Sequence, residues 1–461
     1  MKKYLILIIL FYAFCLRFPI IFQPFCGYHA WNEGHYAMTA TNFDKYGFFR
    51  QMNDLGEDYT ATPLFSWIVY LSFKIFGITE WAGRLPNLIF SILSIYIFFL
   101  IIKKLYDDRT AYLSTLFASA AHGIVYFSRN LQLESQFLFF LLLSIYFAIS
   151  YNKKLKTGYY FLTFLFAGFS VFTKFPAILG YFSVAVILLS NNLTKKILKF
   201  ISASFISLIP AFIWIIYSSL KKVSQTVDYF TRISEWSWHY LLKALVKTPC
   251  ITSEHLGIFI SILVIIGGFF IIRDWKRHLF LIAFIIPWFL LLVPFPKAYL
   301  KNAYYDYPAL YGFCVVAGIG AVELLKGGGG IKKKQFAIFL IVSTVAFGIV
   351  KTYNRLKKFD SFSKYAKIYE PTPFYSAKYV AKIRSDDETV LVDYPQTMFY
   401  AGGDPEFVKC IYGQTEKFIS EQKYNYIILN YFGSYDFDEV KKELEKNRYN
   451  QVAPLAWKLK K

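Results

Sequence analysis

The feature that most constrains this chain is the alternation of long apolar blocks with short clusters of lysine and arginine. Blocks such as 4–16, 88–102 and 257–272 approach the ~20 apolar residues that cross a bilayer as a helix. Of the 461 residues, 18% are charged and 56% are hydrophobic, whereas soluble domains average about 25% charged residues. These proportions exclude an ordinary soluble enzyme and a disordered chain, and they indicate a polytopic membrane protein.

The basic clusters predict the topology, because cytoplasmic loops are enriched in lysine and arginine. The first span follows Lys2 and Lys3; a cleaved signal peptide is the alternative, but no small-residue cleavage site follows the apolar run. If 63–76 lies at the outer interface without crossing, five successive basic loops fall on the cytoplasmic side. This parity predicts an all-α polytopic bundle of about eleven spans with a cytoplasmic N-terminus, at 4–22, 81–102, 109–128, 131–151, 159–173, 175–190, 197–220, 256–273, 278–295, 304–325 and 336–351.

The composition changes after residue 351, where charged residues and short apolar runs replace the long blocks. We predict a transmembrane domain over 1–351, with long outer loops at 23–62 and 221–255, and a small extracytoplasmic α/β domain over 352–461. The predicted elements of the second domain are helices at 376–385 and 439–446 and strands at 389–393 and 426–429. The chain is therefore expected to be a multi-pass protein of the cell (plasma or inner) membrane.

Charge and cysteine spacing argue against two other classes of protein. The net charge of +21 comes largely from clusters between the spans, so it predicts topology and not nucleic-acid binding. The five cysteines show no C-x-x-C spacing, which gives neither a zinc site nor a disulfide framework. Residues 327–330 are predicted to be a flexible cytoplasmic linker, because no strand precedes these glycines and no Gly-Lys-Ser/Thr follows them.

Ionisable side chains at the edge of a membrane are costly, so a group of them on one side indicates function. In the C-terminal domain, Asp393 and the run Gly402-Gly403-Asp404 follow a predicted strand; a turn that closes a structural domain is favoured there over a binding site. The predicted parity places the following groups at the outer face: Glu33, Asp54, Glu57, Asp58, Glu134, Lys174, Lys297 and Lys301.

Glu33 is the first candidate for catalysis. It follows the first span, with Asn32 as a predicted N-cap and Tyr36 on the same helix face. An acidic residue in a first helical turn is also common, so a purely structural role is the alternative. His29 and His35 lie nearby but without a defined ligand spacing; no metal ligand is assigned, and a divalent metal cofactor stays open.

Glu134 is the second candidate carboxylate, at the mouth of a predicted span. It either acts in catalysis or forms an ion pair with Arg129. Lys174 interrupts an apolar stretch, where its amino group either reaches the lipid headgroups or holds the phosphate of a lipid-linked donor. The same two alternatives apply to a second basic and aromatic group: Lys297, Lys301, Tyr304 and Tyr305.

Several motifs occur in a familiar order after the acidic outer loop. They are Thr62-Pro63-Leu64-Phe65-Ser66-Trp67, Gly77, Glu80-Trp81-Ala82-Gly83-Arg84-Leu85-Pro86, Thr173-Lys174-Phe175-Pro176, and Tyr304-Tyr305 with Pro308. This order resembles the GT-C membrane glycosyltransferases of the dolichyl-phosphate-mannose protein mannosyltransferase and aminoarabinose transferase superfamily (glycosyltransferase family 39-like). The resemblance covers residues 1 to about 325, and the segment from Gly77 to Pro86 is its most specific part.

The resemblance implies a GT-C fold and transfer of a sugar from a polyprenyl-phosphate donor to a protein, lipid or glycan acceptor. A carboxylate would deprotonate the acceptor, cations would stabilise the leaving phosphate, and a single displacement would invert the anomeric carbon. The predicted catalytic residues are Glu33 and Glu134. The predicted substrate-binding residues are Asn32, Tyr36, Asp58, Arg84, Arg129, Lys174, Lys297, Lys301, Tyr304 and Tyr305.

The chain departs from the family's pattern in two places. Such proteins usually carry Asp-Glu in the first outer loop, whereas this chain has Asn32-Glu33, so only Glu33 matches an acidic position. Lys-Pro-Pro-Leu before the interfacial helix is replaced by residues 61–64, Ala-Thr-Pro-Leu, which removes a cation. The donor phosphate would then depend more on Lys174 or Arg84.

Two other functions are compatible with many spans. A transporter or lipid flippase would also bury ions, but such proteins tend to show internal repeats and broken helices near the bilayer midplane. No internal repeat is visible in the sequence, and the candidate ions lie at one edge of the predicted bundle. A scaffold that presents the C-terminal domain would not need eleven spans.

Overall fold

The computed structural model describes residues 2–25, 29–52, 62–189, 193–220, 236–326, 330–357, 372–411, 416–429 and 437–460. The first ten α-helices are α1 Lys2–Arg17, α2 Ala30–Tyr46, α3 Leu64–Phe76, α4 Glu80–Leu105, α5 Asp108–Ala120, α6 His122–Phe127, α7 Glu134–Lys154, α8 Thr157–Thr173, α9 Tyr181–Leu189 and α10 Leu193–Leu220. The others are α11 Trp238–Leu256, α12 Ile258–Arg273, α13 Leu279–Leu290, α14 Pro296–Lys301, α15 Tyr307–Leu325, α16 Gly330–Lys357, α17 Thr372–Ile383, α18 Pro395–Tyr400, α19 Glu416–Ile419 and α20 Phe437–Lys446. Short 3₁₀ turns occur at Phe18–Ile20, Phe175–Gly180 and Ala303–Asp306, and the strands are β1 Val390–Val392, β2 Val408–Cys410, β3 Tyr426–Ile428, β4 Tyr449–Ala453 and β5 Ala456–Leu459.

The chain divides into two compact units. The helical unit comprises residues 1–19, 87–129 and 133–353, and the mixed unit comprises 20–86, 130–132 and 354–461. The predicted domain boundary was 351/352, and the first outer loop was predicted to belong to the transmembrane domain. In the structure, α16 runs through that boundary to Lys357, and the segment 20–86 belongs to the same unit as the C-terminal residues.

Apolar helices dominate the chain, as expected for a multi-pass membrane protein. All eleven predicted spans are helical over most of their length. Within the described residues, five helices are long and apolar enough to cross a membrane, or six if one bent pair counts as a span. The other apolar helices have 10–17 residues, which is about 15–26 Å of helix against a hydrocarbon core of about 30 Å. The number eleven therefore stays a prediction.

Close helix packing in the helical unit depends on small residues. A Cβ atom on Gly267 of α12 would lie 2.0 Å from the Val316 carbonyl oxygen of α15, and one on Gly320 of α15 would lie 2.5 Å from the Leu263 carbonyl oxygen. Backbones that approach this closely are typical of helix pairs in membranes, where packing and not water drives association. This contact fixes α15, which follows directly after the turn Ala303–Asp306.

The segment 221–255, predicted as a loop, is largely a helix where it is described. α11 spans Trp238–Leu256 and meets α12 at a bend of 115°. Gly257 allows the bend because it adopts a φ of +86°, which side chains other than glycine rarely accept. The prediction of a loop was wrong because this stretch mixes polar and apolar residues, as a partly buried helix does.

The mixed unit contains a five-stranded sheet in the order β2-β1-β3-β5-β4. β1 pairs in parallel with β2 and β3, while β5 pairs antiparallel with β3 and β4. The predicted strands near 389–393 and 426–429 correspond to β1 and β3, and the two predicted helices correspond to α17 and α20. β2, β4 and β5 were missed, because these partly exposed runs lack a continuous apolar pattern.

The turn after α18 has a structural role. Asp404 accepts hydrogen bonds from Lys45 Nζ (2.7 Å) and Tyr46 Oη (3.0 Å), which join it to the end of α2. Burial alone would raise the pKa of the Asp404 carboxyl, but donation by Lys45, by the Glu406 backbone N–H and by Tyr46 outweighs burial and lowers the pKa. These contacts agree with the favoured interpretation of a turn.

The alternation of basic loops predicts which side each exposed loop faces. In a variant with Cys15, Cys26 and Cys250 replaced by serine, we expect an impermeant maleimide to label Asp386→Cys but not Leu155→Cys in intact cells. The reason is that residues 152–156 carry three lysines and no acid and should stay in the cytoplasm. Both positions are exposed, so both should react once the membrane is permeabilised; labelling of position 155 in intact cells would overturn the topology.

Candidate active site

Glu33 of α2 forms a buried ion pair with Arg84 of α4 inside the mixed unit. Arg84 Nε donates to Glu33 Oε1 at 2.6 Å and Arg84 Nη2 donates to Glu33 Oε2 at 2.8 Å. Glu33 Oε1 also accepts from the backbone N–H of Leu131 at 3.0 Å. The two side chains are only 3% and 5% exposed. Glu33 therefore acts here as the anchor of a two-point guanidinium contact.

Arg84 has further partners besides Glu33. Its Nη1 donates to the carbonyl oxygens of Ile20, Ile21 and Gln23, and its Nη2 donates to that of Pro24. All three guanidinium nitrogens are thus engaged in binding the backbone of 20–24 and the Glu33 carboxylate. A phosphate could approach Arg84 only if one of these contacts were given up.

The neighbours of Glu33 differ in one respect from the sequence prediction. The helix begins at Ala30 with His29 as its N-cap, so Asn32 lies inside the helix and the predicted N-cap was wrong. Glu33 is in the first turn, as predicted. Tyr36 is buried, with its ring edge against Phe65 at 5.1 Å between centroids. Among the described residues, no group of three or more histidine, cysteine, aspartate or glutamate side chains has the geometry of a metal site.

The second candidate carboxylate, Glu134, pairs with Lys174 inside the helical unit. Lys174 Nζ lies 2.5 Å from Glu134 Oε1, and the side chains are 9% and 3% exposed. Glu134 is the first residue of α7, and Lys174 follows the end of α8, where Ser170 accepts its backbone N–H. The sequence had left open an ion pair of Glu134 with Arg129, whereas the partner in the structure is Lys174.

Aromatic rings surround the Lys174 amino group. Its Nζ lies 4.3 Å from the ring centroid of Tyr304 and 5.5 Å from those of Tyr305 and Phe137. Rings hold a cation through their electron-rich faces, most strongly where water is excluded. The structure thus brings together four of the predicted site residues: Glu134, Lys174, Tyr304 and Tyr305.

A second acid–base pair, missed in the sequence, involves Asp306. His255 Nδ1 lies 3.1 Å from both carboxylate oxygens of Asp306, and Thr252 donates a hydrogen bond to Oδ2 at 3.0 Å. Asp306 is 1% exposed and ends the 3₁₀ turn that carries Tyr304 and Tyr305. In the sequence, the position of Asp306 directly after the two tyrosines could have indicated that it belongs to the site. His255 gave no such indication, because its stretch had been predicted as a loop.

The remaining predicted residues have other neighbours or lie outside the described residues. Arg129 is buried with its guanidinium 5.4 Å from the Tyr126 ring, and Lys297 lies 5.5 Å from the Tyr240 ring. Lys301 ends α14, but its side chain is not among those described. Asp54, Glu57 and Asp58 lie outside the described residues.

Comparison with known proteins shows what this chain is similar to. Residues 60–217 match the family described as dolichyl-phosphate-mannose-protein mannosyltransferase. A relative from Aquifex aeolicus, described as an uncharacterized protein, is 29% identical over 182 residues, which is 38% of this chain. The match spans 35% of that relative, about a third of its length.

Two solved proteins share the fold. ArnT from Cupriavidus metallidurans in the apo state has a TM-score of 0.67 at 12% identity, covering 98% of this chain and 96% of that one. The same protein bound to undecaprenyl phosphate gives 0.59 at 13% identity, covering 98% and 97%. The Archaeoglobus fulgidus oligosaccharyltransferase, in complex with Zn and sulfate, gives 0.60 at 11% identity, covering 98% and 73%.

The fold and the family match together identify what this chain resembles. TM-scores of 0.59–0.67 establish a shared fold although the identities are only 11–13%. The family match over 60–217 contains the most specific motif, Gly77 to Pro86. The predicted resemblance to GT-C membrane glycosyltransferases of the protein mannosyltransferase type is confirmed.

The geometry around Glu33 generates a stability prediction. Glu33→Gln should lower the free energy of unfolding by roughly 3–5 kcal/mol, because breaking a buried ion pair leaves the Arg84 charge without its counter-ion. The measurement is the thermal unfolding midpoint of the purified protein in detergent. Glu254→Gln makes the same chemical change at an exposed position and should leave the midpoint near that of the parent.

The opposite result would assign Glu33 to the chemistry. If Glu33→Gln unfolds like the Glu254→Gln control yet loses transferase activity, the carboxylate is needed for the reaction and not for holding Arg84. Arg84→Lys provides a second check, since a lysine cannot donate to both carboxylate oxygens in the same fork. We expect that variant to lose stability as well.

Proposed function

We propose that this chain is a GT-C membrane glycosyltransferase that moves a sugar from a polyprenyl-phosphate donor to an acceptor at the extracytoplasmic face. The acceptor would be a hydroxyl or amine group of a protein, a lipid or a glycan. The observation that carries the proposal is the buried Lys174 amino group, which is paired with Glu134 and lies beneath Tyr304. The fold shared with ArnT, which has been solved with undecaprenyl phosphate, supports a lipid-linked donor.

Lys174 is the proposed contact for the donor phosphate. A lysine carries a compact charge that suits a phosphate oxygen, and the surrounding rings exclude water that would weaken the attraction. As the bond between the anomeric carbon and the phosphate oxygen breaks, negative charge grows on the phosphate. A cation already in place stabilises that charge in the transition state more than in the ground state.

Glu134 is the proposed base. In the structure its Oε1 is occupied by Lys174; once the phosphate engages Lys174, the carboxylate can accept a proton from the acceptor. The acceptor oxygen or nitrogen then bonds to the anomeric carbon, the proton passes to Glu134, and the polyprenyl phosphate leaves with the electron pair. A single displacement of this kind inverts the anomeric configuration.

His255 is the second side chain that we propose to contact the phosphate of the sugar donor. Asp306 holds Nδ1 of the ring at 3.1 Å, which orients the imidazole. His255 also packs edge-on against Phe127, whose ring in turn contacts Tyr304 at 6.3 Å between centroids. Two basic side chains, each anchored by a buried carboxylate, would thus lie near Tyr304: Lys174 against its ring and His255 on the far side of Phe127.

The donor-binding role of Lys174 can be tested with a paired substitution. Removing Lys174 alone would leave Glu134 buried without a counter-ion, which would confuse binding with folding. Lys174→Gln combined with Glu134→Gln removes both charges and keeps the side-chain volumes. We expect unfolding close to that of the parent and undecaprenyl-phosphate binding weakened about 10- to 150-fold, the equivalent of a charge-assisted contact.

Native mass spectrometry of the purified protein measures that binding through the lipid-phosphate adduct. The matched control is Lys326→Gln with Glu323→Gln, which removes an exposed ion pair of the same type. The control should bind the lipid like the parent. Parental binding in the Lys174 and Glu134 double variant would remove both residues from the donor site.

The role of His255 predicts that donor binding depends on Asp306. In Asp306→Asn the neutral amide no longer holds the His255 ring through a charged acceptor, so this variant should bind undecaprenyl phosphate more weakly than the parent does. Native mass spectrometry measures the binding; parental binding in Asp306→Asn would mean that His255 has only a structural role.

A further inference from the structure

A cavity lies at the end of the helical unit opposite to the Glu134–Lys174 pair. It has a volume of about 680 Å³ and is walled largely by apolar side chains of α4, α7, α9 and α13. This volume falls within the roughly 300–1,000 Å³ of pockets that enclose small ligands. The wall residues that define it are Leu105, Ile149, Ala185, Ile187, Leu279 and Phe280.

The distance along α7 separates this cavity from the proposed donor site. Glu134 is the first residue of α7, whereas Asn152 and Lys153 line the cavity. A rise of 1.5 Å per residue puts Asn152 about 27 Å from Glu134 along the helix axis, close to the ~30 Å thickness of a hydrocarbon core. The cavity is therefore at the opposite membrane boundary and is distinct from the Glu134–Lys174 pair.

The cavity combines apolar walls with a positive edge. Lys153 and Lys276 are its charged lining residues, and no acidic residue is among the described residues that line it. The flanking loops add to this charge: residues 152–156 carry three lysines and no acid, and 273–277 carry three basic residues and one acidic residue. Lys153 Nζ donates to the Lys104 backbone carbonyl at 3.1 Å, which holds its amino group at the helix ends.

We propose that this cavity binds one anionic phospholipid of the adjacent leaflet. An acyl chain would occupy the apolar cavity, and the headgroup phosphate would contact Lys153 and Lys276. Neutral phospholipids lack the net negative charge that two amines attract, and inorganic phosphate has no group for the apolar walls. Basic pockets between transmembrane helices on the cytoplasmic side recognise anionic headgroups in this way.

The test is lipid binding by the full-length protein after removal of co-purified lipid. Native mass spectrometry should show phosphatidylglycerol adducts at lower lipid concentration than phosphatidylcholine adducts with the same acyl chains. Lys153→Gln with Lys276→Gln should weaken phosphatidylglycerol binding roughly 30-fold. Ala185→Phe, which fills the cavity and keeps the charges, should weaken binding of the same lipid.

Controls separate this site from general attraction to anions. Lys332→Gln with Lys333→Gln removes two exposed lysines elsewhere in the helical unit and should leave phosphatidylglycerol binding unchanged. Millimolar inorganic phosphate should not displace the lipid. Equal binding of the two lipids, displacement by phosphate, or parental binding in both cavity variants would each overturn the proposal. None of these measurements uses sugar transfer, so the outcome is independent of the proposed enzyme activity.

Discussion

Pairing of buried charges is the constraint on which the arrangement of this protein depends. An apolar bundle cannot solvate an ion, so each charge inside it needs a partner at hydrogen-bond distance. Lys174 meets this need through Glu134, and Asp306 meets it through His255 and Thr252. Arg17, wholly buried on α1, donates to Ser128 Oγ and to backbone carbonyls of α1 and α5. Because these contacts join helix ends that are distant in sequence, they fix the loops that carry the candidate site.

The sequence predicted elements better than it predicted partners, for a physical reason. Span positions follow from hydropathy alone, and each predicted span is helical because an apolar segment in a bilayer must satisfy its own backbone. A partner depends on how helices pack, which one sequence does not reveal. Glu33 and Arg84 were both predicted site residues, yet 51 positions separate them, and their ion pair was not foreseen. The ion pair also limits substrate binding by Arg84, because its guanidinium group already donates to Glu33 and to the backbone of 20–24.

The failures of prediction cluster where a residue's environment is mixed. α11 was not predicted because its sequence mixes polar and apolar residues. His255 lies in this helix and was therefore not recognised as a candidate site residue. The strands β4 and β5 form an antiparallel hairpin with partly exposed positions, so their apolar pattern is interrupted. The N-cap of α2 was predicted at Asn32 but is His29 in the structure, although the side chain of His29 makes no capping hydrogen bond. In each case tertiary packing outweighed a local preference.

In the proposed reaction, Glu134 and the donor phosphate bind the same Lys174 amino group, and this determines the order of events. Glu134 and the donor phosphate compete for one amino group, so the carboxylate becomes available only when the phosphate has replaced it. An acceptor that arrives first would meet a carboxylate already neutralised by Lys174, and no proton transfer would follow. Deprotonation is thereby coupled to donor occupancy, and a bound acceptor is not activated towards water or a wrong partner in the absence of the sugar. A surface lysine could not provide this coupling, because solvent would screen its charge from both partners.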